Sequence, residues 1–316
     1  MEKDDWYVEK FIKRKNKLRK IVTYNNSDIR NRHTIINNFL NGNLLFSKFS
    51  KAYIKGKSIY DNAYAHLYND YFISLDIEKY FNNIDHNILI ETLYYELNKT
   101  SEKKMVMNKI ECTKLVNLCS TSKKGLPLGL ITSPTLSNIY LKEFDNILYG
   151  KLKRLGLESI IYTRYADDIT ISFKYSEEDL NIVQNNIYDI VSSLLKRYKL
   201  KLNYSKSRFI DLGKSNHVRI TGISIVKDEN NYRKLSVGRK SKKELFYRAI
   251  DCYRTFLEDP SNVDYLEVLK IKGMESFFLS IEKRGYENFY SKGMQKELKE
   301  LGFDNLNDLI RSLPHE

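Results

Sequence analysis

The sequence predicts an α+β protein, with a strand-containing middle region between a basic N-terminal region and a helical C-terminal region. Two apolar and aromatic runs, "DYFISLD" and "IIYTRYADDITISF", have the composition of strands, and each carries aspartate at an end or a turn. From Arg239 onwards, apolar residues recur at helical spacing. A chain of 316 residues, 42% of them hydrophobic, is large enough for several subdomains.

Positive charge is concentrated in two blocks of the chain. The net charge is +13, but residues 1–60 hold 14 Lys or Arg against 5 acids, and residues 196–245 hold 15 against 4. Clustered basic charge in a chain with 13% aromatic residues is typical of a protein that binds nucleic acid. A solvated basic surface without a partner is the alternative explanation.

The sequence also excludes some classes of protein. Its three cysteines have no paired spacing, so we expect neither a zinc site nor a disulfide framework, and a cytoplasmic, reducing location is favoured. The N-terminal charges are not followed by an apolar segment, so no secretory signal is predicted. No run of 18 apolar residues occurs, so we expect no membrane association.

The elements of the first half are predicted in chain order. The N-terminal 60 residues are expected to be mostly helical, with a short β element at "KLRKIVTY". A strand follows from Tyr71 to Leu75 and ends at Asp76, and "HNILIETLYYELN" has the spacing of a helix. The Gly- and Pro-containing stretch from Ser122 to Thr132 is predicted to be a loop.

In the second half, a long helix is predicted from about Ser133 to Leu155, with Pro134 in its first turn. The hairpin "IIYTRYADDITISF" follows, and then a helix that opens at Ser176 and closes with basic residues at 196 and 197. A second hairpin, "HVRITGISIVKDENNYRKLSVG", is expected to turn at 228–231. The rest of the chain is predicted to be helical.

Three carboxylates are the candidates for chemistry: Asp76, Asp167 and Asp168. Ionised carboxylates are costly to bury without a positive partner, yet the pair lies at the tip of an apolar hairpin. Two acids there and a third on a neighbouring strand form a set of oxygen ligands suited to Mg²⁺. Two such ions can stabilise both the attacking and the leaving oxygen of a phosphoryl displacement. The alternatives are a cap residue at 76 and an acidic tight turn.

Four stretches resemble motifs of reverse transcriptases and occur in the order that this family uses, between about Lys17 and Gly238. "YTRYADDITIS" resembles the YxDD hairpin, and "FISLDIEKYFNNID" resembles the strand with the first catalytic aspartate. "GLPLGLITSPTLSNIYLKEFD" resembles the LPQG and SPxLSN segment, and "KLKLNYSKSRF" the LNxxKT segment. Two further stretches, "DNAYAH" and "RITGISI", resemble the NAxxH and VTG motifs of retron reverse transcriptases, with Ile220 in place of Val.

The resemblance implies a right-hand polymerase fold of fingers, palm and thumb, with an antiparallel sheet in the palm and a helical thumb. Fingers would comprise residues 1–70 and the palm residues 71–237, with an inserted fingers segment at about 88–131. Residues 238–316 would form an RNA-binding thumb. The implied activity is that of an RNA-directed DNA polymerase, a nucleotidyltransferase.

The resemblance also implies roles for individual residues. Asp76, Asp167 and Asp168 would be catalytic and would bind two Mg²⁺ ions, with Mn²⁺ as an alternative and with the backbone carbonyl of Ile77 as a further ligand. Phe81 would be an aromatic steric gate against ribose, and Tyr80 competes for that role. Residues expected to bind the dNTP are Arg19, Lys20, Phe81, Leu128, Gly129 and Lys206. Residues expected to bind RNA are Asn62, His66, Arg164, Thr221, Gly222, Arg239 and Lys240.

One departure from the family concerns Leu128, which occupies the position of the LPQG glutamine. A leucine offers the incoming nucleotide only apolar contact, so nucleotide affinity and fidelity are expected to differ from those of relatives. Because all three carboxylates are present, we still expect catalysis.

A retron-type enzyme implies particular partners. It would bind a cognate structured noncoding RNA (msr-msd), prime from the 2′-OH of an internal guanosine in that RNA, and yield branched RNA–DNA (msDNA) from dNTPs. The implied setting is antiphage defence with a separate effector protein. The alternatives are a group II intron-like or abortive-infection reverse transcriptase, and an RNA-binding scaffold that holds an effector and polymerises DNA only secondarily.

Overall fold

The computed structural model describes residues 6–14, 17–99, 105–227, 230, 232–283 and 285–314. The chain divides after Ser215 into two compact units. The strands of the N-terminal unit are β1 (Tyr7–Arg14), β2 (Lys17–Tyr24), β3 (Tyr71–Asp76), β4 (Ile161–Tyr165), β5 (Asp168–Phe173) and β6 (Arg208–Asp211). Its α-helices are α1 (Ser27–Asn43), α2 (Ile59–Ala65), α3 (Tyr80–Asn83), α4 (His86–Asn98), α5 (Lys109–Leu118), α6 (Ser133–Tyr140), α7 (Lys142–Leu152) and α8 (Leu180–Arg197).

The centre of the N-terminal unit is an antiparallel sheet with the strand order β4-β5-β3-β6. Every residue of β5 after Asp168 is buried. Ile169, Ile171 and Phe173 belong to the main hydrophobic core. The alternate residues, Thr170 and Ser172, therefore point to the opposite face, where α2 packs. Both faces of this strand are therefore covered, with apolar residues towards the core and the small polar Thr170 and Ser172 on the other face.

The prediction of a mostly helical N-terminal region was wrong. β1 and β2 form a hairpin in which Tyr7 lies opposite Tyr24, and α1 is the helix of this region before α2. In "YVEKFIKR", pairs of apolar residues are followed by pairs of charged residues, so the strand has no period of two, and only its Tyr, Val, Phe and Ile favour a strand. The amide of Val22 donates to the carbonyl of Leu128 at 2.8 Å, which joins β2 to the predicted loop.

The predicted long helix from Ser133 to Leu155 is divided at Leu141 into α6 and α7, and a 3₁₀ turn follows over Lys153–Leu155. In a continuous helix, the amide of Leu141 would donate to the carbonyl of Ser137. That carbonyl instead accepts a hydrogen bond from the hydroxyl of Tyr80, with an O–O distance of 2.5 Å. Pro134 lies in the first turn, as predicted.

The predicted start of the next helix at Ser176 was also displaced. α8 begins at Leu180, and the carboxylate of Asp179 caps it by accepting from the amide of Asn181 at 2.8 Å. Ser176 accepts from the amide of Glu178 in a turn before the helix. The predicted basic C-terminus of the helix is confirmed.

The C-terminal unit contains β7 (His217–Ile220), β8 (Ile223–Lys227), β9 (Arg233–Ser236), α9 (Arg239–Glu258), α10 (Tyr265–Ile281), α11 (Lys292–Glu300) and α12 (Leu306–Ser312). The predicted hairpin is a three-stranded sheet, because Thr221 and Gly222 form a second turn with φ of 45° and 96°. The turn predicted at 228–231 lies largely outside the described residues. Helices from Arg239 are confirmed, and Glu282 joins the sheet to α9 by accepting from Val237 and Lys242.

Candidate active site

Three aspartates meet at one end of the four-stranded sheet. Asp76 is the last residue of β3 and lies directly opposite Asp168, the first residue of β5. Asp167 occupies the two-residue turn between β4 and β5, and its carbonyl accepts from the amide of Ile77 at 3.0 Å. Directly opposed residues of antiparallel strands have Cβ atoms about 4.5–5.5 Å apart. The fold therefore brings the predicted carboxylates together.

The turn that carries Asp167 has an unusual backbone. Ala166 adopts a φ of 57°, a left-handed conformation that favours glycine. A two-residue hairpin turn with positive φ at its first position matches the twist of the flanking strands. The guanidinium of Arg164 supports the turn from below by donating to the carbonyl of Ala166 at 3.2 Å.

Negative charge accumulates at this turn. Burial of the carboxyl group, together with the charges of Asp167 and Asp76, raises the pKa of Asp168 to about 6, although part of the residue faces solvent. Burial is also the main cause that raises the pKa of Asp167, with a contribution from Asp76, while Lys206 and Arg19 oppose the shift. A bound cation would relieve this excess of negative charge.

Asp76 is engaged by the segment that follows α8. The ammonium of Lys206 lies 2.5 Å from Oδ1 of Asp76, and the side-chain amide of Asn203 donates to Oδ2 at 3.0 Å. The amide of Asn203 also donates to the backbone carbonyl of Asp76 at 2.8 Å. The lysine predicted to act near the carboxylates thus lies in direct contact with one of them.

The carboxylates suit a divalent metal ion by their chemistry. Carboxylate oxygens are the ligands that Mg²⁺ and Mn²⁺ prefer. Within the described part of the chain, no three His, Cys, Asp or Glu side chains converge closely enough to enclose an ion. Both oxygens of Asp76 have other partners, Lys206 at Oδ1 and Asn203 at Oδ2. Metal binding by Asp76, Asp167 and Asp168 stays a prediction.

Two predicted nucleotide-binding residues lie on the β1–β2 hairpin. Arg19 and Lys20 are both exposed and, as neighbours in β2, point to opposite faces of it. Arg19 is near enough to lower the pKa of Asp167 by its charge. Lys20 forms an ion pair with Glu9 of the adjacent strand. Arg19 is therefore the better placed of the two for a ligand at the carboxylates.

The two aromatic residues after Asp76 have different surroundings. Tyr80 is buried in the core, where its hydroxyl is held by Ser137. The ring of Phe81 is almost buried and makes an edge contact with Tyr53 at a centroid distance of 6.5 Å. Burial is the main cause that raises the pKa of Tyr80, and the charge of Asp167 also contributes, so the choice between Phe81 and Tyr80 as the steric gate stays a prediction.

Leu128 and Gly129 border the N-terminal hairpin. Leu128 is half-buried, packs against the main core and offers its carbonyl to β2. Gly129 has a φ of 108°, and a Cβ atom there would lie 2.3 Å from the carbonyl oxygen of Val22. Glycine is therefore required for the close approach of this loop to β2. The nucleotide contacts predicted for both residues stay predictions.

The prediction that Arg164 contacts RNA was wrong. Its side chain is fully buried and forms a bidentate ion pair with Asp145 of α7, with both N–O distances at 2.8 Å. The hydroxyl of Tyr162 donates to the same carboxylate at 2.7 Å. Asn138 of α6 completes the cluster and donates to the carbonyl of Ala52 at 2.7 Å. Arg164 thus stabilises the site from below and has no free face for a ligand.

The prediction that Asn62 and His66 contact RNA directly was also wrong, because both are buried. The imidazole of His66 bridges α2 to the sheet, with 2.6 Å from Nδ1 to the hydroxyl of Ser172 and 2.7 Å from Nε2 to that of Thr163. Burial lowers the pKa of His66 to about 3, so the ring is neutral. In this protein, the NAxxH stretch fastens α2 to the sheet.

The remaining predicted RNA-binding residues belong to the C-terminal unit. Gly222, Arg239 and Lys240 are exposed, and Thr221 is half-buried in the turn between β7 and β8. The guanidinium of Arg239 lies over the ring of Phe289, 5.6 Å from its centroid. Their accessibility is compatible with RNA contacts, which stay a prediction.

Sequence reasoning missed three residues that shape the site: Tyr53, Asn138 and Asp145. The last two lie within the quoted "SPTLSNIYLKEFD" stretch, where polar residues on otherwise apolar helical faces signal a buried polar cluster. Tyr53 belongs to none of the quoted motifs, and its proximity to the aspartates depends on the tertiary fold.

An antiparallel sheet with three aspartates at one end and a lysine beside them is the palm arrangement of a right-hand nucleic-acid polymerase. The family model described as reverse transcriptase (RNA-dependent DNA polymerase) matches residues 8–247. The chain belongs to this family. Within it, the protein is a retron-type reverse transcriptase, an RNA-directed DNA polymerase.

The relatives support this assignment. The chain is 26% identical over 250 residues to the Retron Ec83 reverse transcriptase of Escherichia coli, covering 79% of this chain and 75% of the relative. It is 27% identical over 261 residues to the Retron Ec86 reverse transcriptase of the same species, covering 83% and 71%. Apo telomerase from Candida tropicalis aligns with a TM-score of 0.51 at 13% identity, over 98% of this chain but only 58% of the telomerase chain. This last likeness concerns the fold alone.

None of the helices in the described residues is long and apolar enough to cross a membrane.

Proposed function

We propose that the protein copies a cognate structured noncoding RNA into DNA by a two-metal mechanism, with Asp76, Asp167, Asp168 and the carbonyl of Ile77 as ligands. The observation that carries this proposal is the register of the sheet, which sets Asp76 opposite Asp168 and Asp167 in the adjoining turn. The raised pKa values of Asp167 and Asp168 support it, because they report negative charge without full compensation.

The reaction joins a primer hydroxyl to a deoxynucleotide. The hydroxyl gives its proton to solvent water, its oxygen bonds to the α-phosphorus, and the bond from the α-phosphorus to the leaving oxygen of pyrophosphate breaks. Two divalent ions, when bound, stabilise the attacking oxygen and the leaving oxygen. The three aspartates would hold the two ions at the end of a rigid sheet. Little rearrangement of the protein would then accompany the transfer of the nucleotide.

Lys206 exchanges partners in this proposal. Its ammonium neutralises Asp76 in the free protein. With a cation at Asp76, the ammonium of Lys206 would be free to neutralise the triphosphate of a nucleotide. Arg19, on the β1–β2 hairpin, adds positive charge near Asp167. The incoming triphosphate is thereby held between two cationic side chains, while Phe81 excludes a 2′-OH.

The remaining assignments are proposed on the family resemblance. Residues 1–70 act as fingers, residues 71–237 as the palm and residues 238–316 as a thumb, in which Arg239 and Lys240 bind structured RNA. Synthesis begins at the 2′-OH of an internal guanosine and yields branched msDNA. The protein acts in the cytoplasm, together with an effector, in antiphage defence.

Purification of the protein with its endogenous nucleic acid tests the proposal. Separate treatment with RNase and DNase, followed by sequencing, is expected to reveal one RNA covalently joined to DNA. Recovery of unrelated cellular RNA alone would contradict a retron function. A variant with Asp167→Asn and Asp168→Asn is expected to yield the RNA without attached DNA. If that variant keeps full protection against phage, the protein acts as a scaffold and not through polymerisation.

A further inference from the structure

Tyr53 lies beside the aspartates although no sequence motif includes it. Its ring makes an edge contact with Phe81 and a tilted contact with Tyr165, at centroid distances of 6.5 and 6.4 Å. The side chain is 49% exposed, whereas the preceding Ala52 is fully buried. A large aromatic ring is thus left open to solvent next to the carboxylates.

The segment before Tyr53 is held firmly against the sheet. The amide of Arg164 donates to the carbonyl of Phe49 at 2.9 Å, and the amide of Lys51 donates to the carbonyl of Arg164 at 2.8 Å. These two bonds lay the segment alongside β4, whose last residue precedes the turn with the aspartates. The hydroxyl of Ser50 donates to Oδ1 of Asn138 at 2.8 Å. The segment that leads to Tyr53 is therefore fixed against β4 and α6.

The backbone of Tyr53 is strained. Its φ of 57° is a left-handed conformation that residues with a side chain rarely adopt. Such conformations persist where the surrounding structure enforces them, and they concentrate at functional sites. Here, the conformation coincides with the approach of the ring to Phe81 and Tyr165.

The phenol is a neutral hydrogen-bond donor at this position. Burial of the hydroxyl is the largest cause that raises the pKa of Tyr53, and the charges of Asp167, Tyr165 and Asp168 add to it. The charge contributions agree with the ring contacts in placing the side chain close to the aspartates.

We propose that Tyr53 is a specificity-determining residue that, together with Phe81, forms the surface against which the sugar of the incoming deoxynucleotide packs. This inference rests on the proposed polymerase function. The α-phosphate must lie at the carboxylates, and the sugar is the part of the nucleotide that is bonded directly to it. Rings next to the carboxylates therefore reach the sugar before they reach the base. The edge contact of Tyr53 also fixes the ring of Phe81.

Nucleotide binding without turnover tests this role. The full protein is bound to an RNA template with a dideoxy-terminated primer, and dissociation constants are measured for a complementary dNTP and rNTP in Mg²⁺. Tyr53→Ala is expected to lower the preference for the dNTP about tenfold. Tyr53→Phe keeps both ring contacts and should keep the preference. Tyr95→Ala, which removes an exposed tyrosine from α4, is the matched control.

A double-mutant cycle with Phe81→Ala tests whether Tyr53 affects the preference for dNTP through its contact with Phe81. Because the two rings touch, their effects on sugar preference are expected to be less than additive. Tyr53→Asn, which tolerates positive φ, replaces the alanine variant if that variant fails to fold. An unchanged preference in a folded Tyr53 variant would contradict this inference alone. A wild-type protein that binds no dNTP would overturn the proposed function and this inference together.

Discussion

Asp168 illustrates how a single residue at this site acquires its properties from its neighbours. Asp168 begins β5, opposite Asp76 and next to Asp167, at one end of the sheet. Burial and these two charges raise the pKa of Asp168 to about 6. The sequence predicted the three acids as a group, because strand ends and a tight turn are readable from a pattern. It did not predict that the ammonium of Lys206 would form an ion pair with Asp76.

The raised pKa has a consequence for stability in the absence of metal. The carboxyl of Asp168 binds its proton more tightly in the folded state, since an unfolded Asp has a pKa of about 3.9. Its contribution to the free energy of unfolding is therefore complete below pH 4 and is lost as the pH rises through about 6.

Asp168→Asn removes this ionisation. At pH 7.5 in EDTA, we expect the variant to exceed the wild type in free energy of unfolding by about 1 kcal/mol, a value reduced for the solvent exposure of the group. The difference should vanish near pH 4, and the variant should make no DNA. Urea denaturation across this pH range measures it, with Asp189→Asn on α8 as the control. A variant no more stable than the wild type at pH 7.5 would contradict the prediction.

Lys206→Gln tests the exchange of partners at Asp76. The ammonium competes with a cation for Oδ1, and an exposed ion pair is worth up to about 1 kcal/mol. The variant should therefore need about two- to fivefold less Mg²⁺ for half-maximal synthesis, while its maximal rate falls because phosphate charge is less neutralised. Mg²⁺ titrations of primer extension measure both quantities, and Lys214→Gln is the control. An unchanged Mg²⁺ requirement would show that the ion pair does not compete with metal.

At the scale of elements, buried polar groups set the geometry that a hydrophobic pattern cannot specify. β5 turns Ile169, Ile171 and Phe173 to the core, and this alternation was predictable from the sequence. On the other face, the imidazole of His66, which follows α2, forms hydrogen bonds with the hydroxyls of Thr163 and Ser172. Arg164, which lies opposite the core residue Ile169, pairs with Asp145. A charged residue on a strand next to an active site suggests contact with nucleic acid. Its actual partner, Asp145, lies 19 residues earlier on α7, and that the two side chains meet in the interior was visible only in the fold.

Arg164→Met tests how much the buried Arg164–Asp145 ion pair contributes to the free energy of unfolding. The variant leaves the carboxylate of Asp145 buried without a counter-charge, which should cost about 3–5 kcal/mol in the free energy of unfolding. Adding Asp145→Leu should recover part of the loss, because no isolated charge then remains. Thermal and urea denaturation of both variants measure the effect. If Arg164→Met were fully stable but weak in RNA binding, a role at the nucleic acid would be restored.

The turn between β7 and β8 provides a second test at this scale. Thr221 has a φ of 45°, a conformation that is unfavourable for a β-branched residue, and Gly222 follows at 96°. Consecutive positive φ angles favour Asn-Gly in such a turn. Thr221→Asn is therefore expected to stabilise the protein by about 1 kcal/mol.

Thr221→Asn also separates structure from recognition. If the threonine side chain contacts RNA, the variant should melt at a higher temperature yet bind the cognate RNA more weakly. If the variant is more stable and binds the RNA with unchanged affinity, Thr221 serves only the turn. If the variant is less stable than the wild type, the backbone of Thr221 is not strained. Gly222→Ala, which places a Cβ at positive φ in open space, is expected to destabilise the same turn.

Across the whole molecule, the sequence predicted the class of fold better than the local structure of its charged regions. The palm strands and the C-terminal helices have strong apolar periods, so their positions were correct. The β element at "KLRKIVTY" was predicted correctly as β2, but β1 was missed, because its apolar and charged residues occur in pairs and the region was interpreted by its charge. The division of the helix at Leu141 was not visible in the sequence either, because it depends on a tyrosine 57 residues away along the chain that reaches Ser137.

The uneven charge of the molecule predicts how RNA binding responds to salt. Each phosphate contact with a single strand contributes about −0.7 to the slope of log affinity against log salt. Lys10 and Lys13 are exposed on β1. If both contact the template, replacing them by Gln should make the slope shallower by about 1.4. Fluorescence anisotropy with a single-stranded RNA at several NaCl concentrations measures the slope.

The control for this experiment is Lys151→Gln with Lys174→Gln, which removes the same charge from α7 and from the end of β5. A change that followed net charge alone would shift both double variants equally. A selective change in the β1 variant would show that the hairpin lies along the RNA backbone. An unchanged slope in the β1 variant would mean that these lysines are solvated, and that the basic N-terminal block acts through Arg19 at the carboxylates and not along the template.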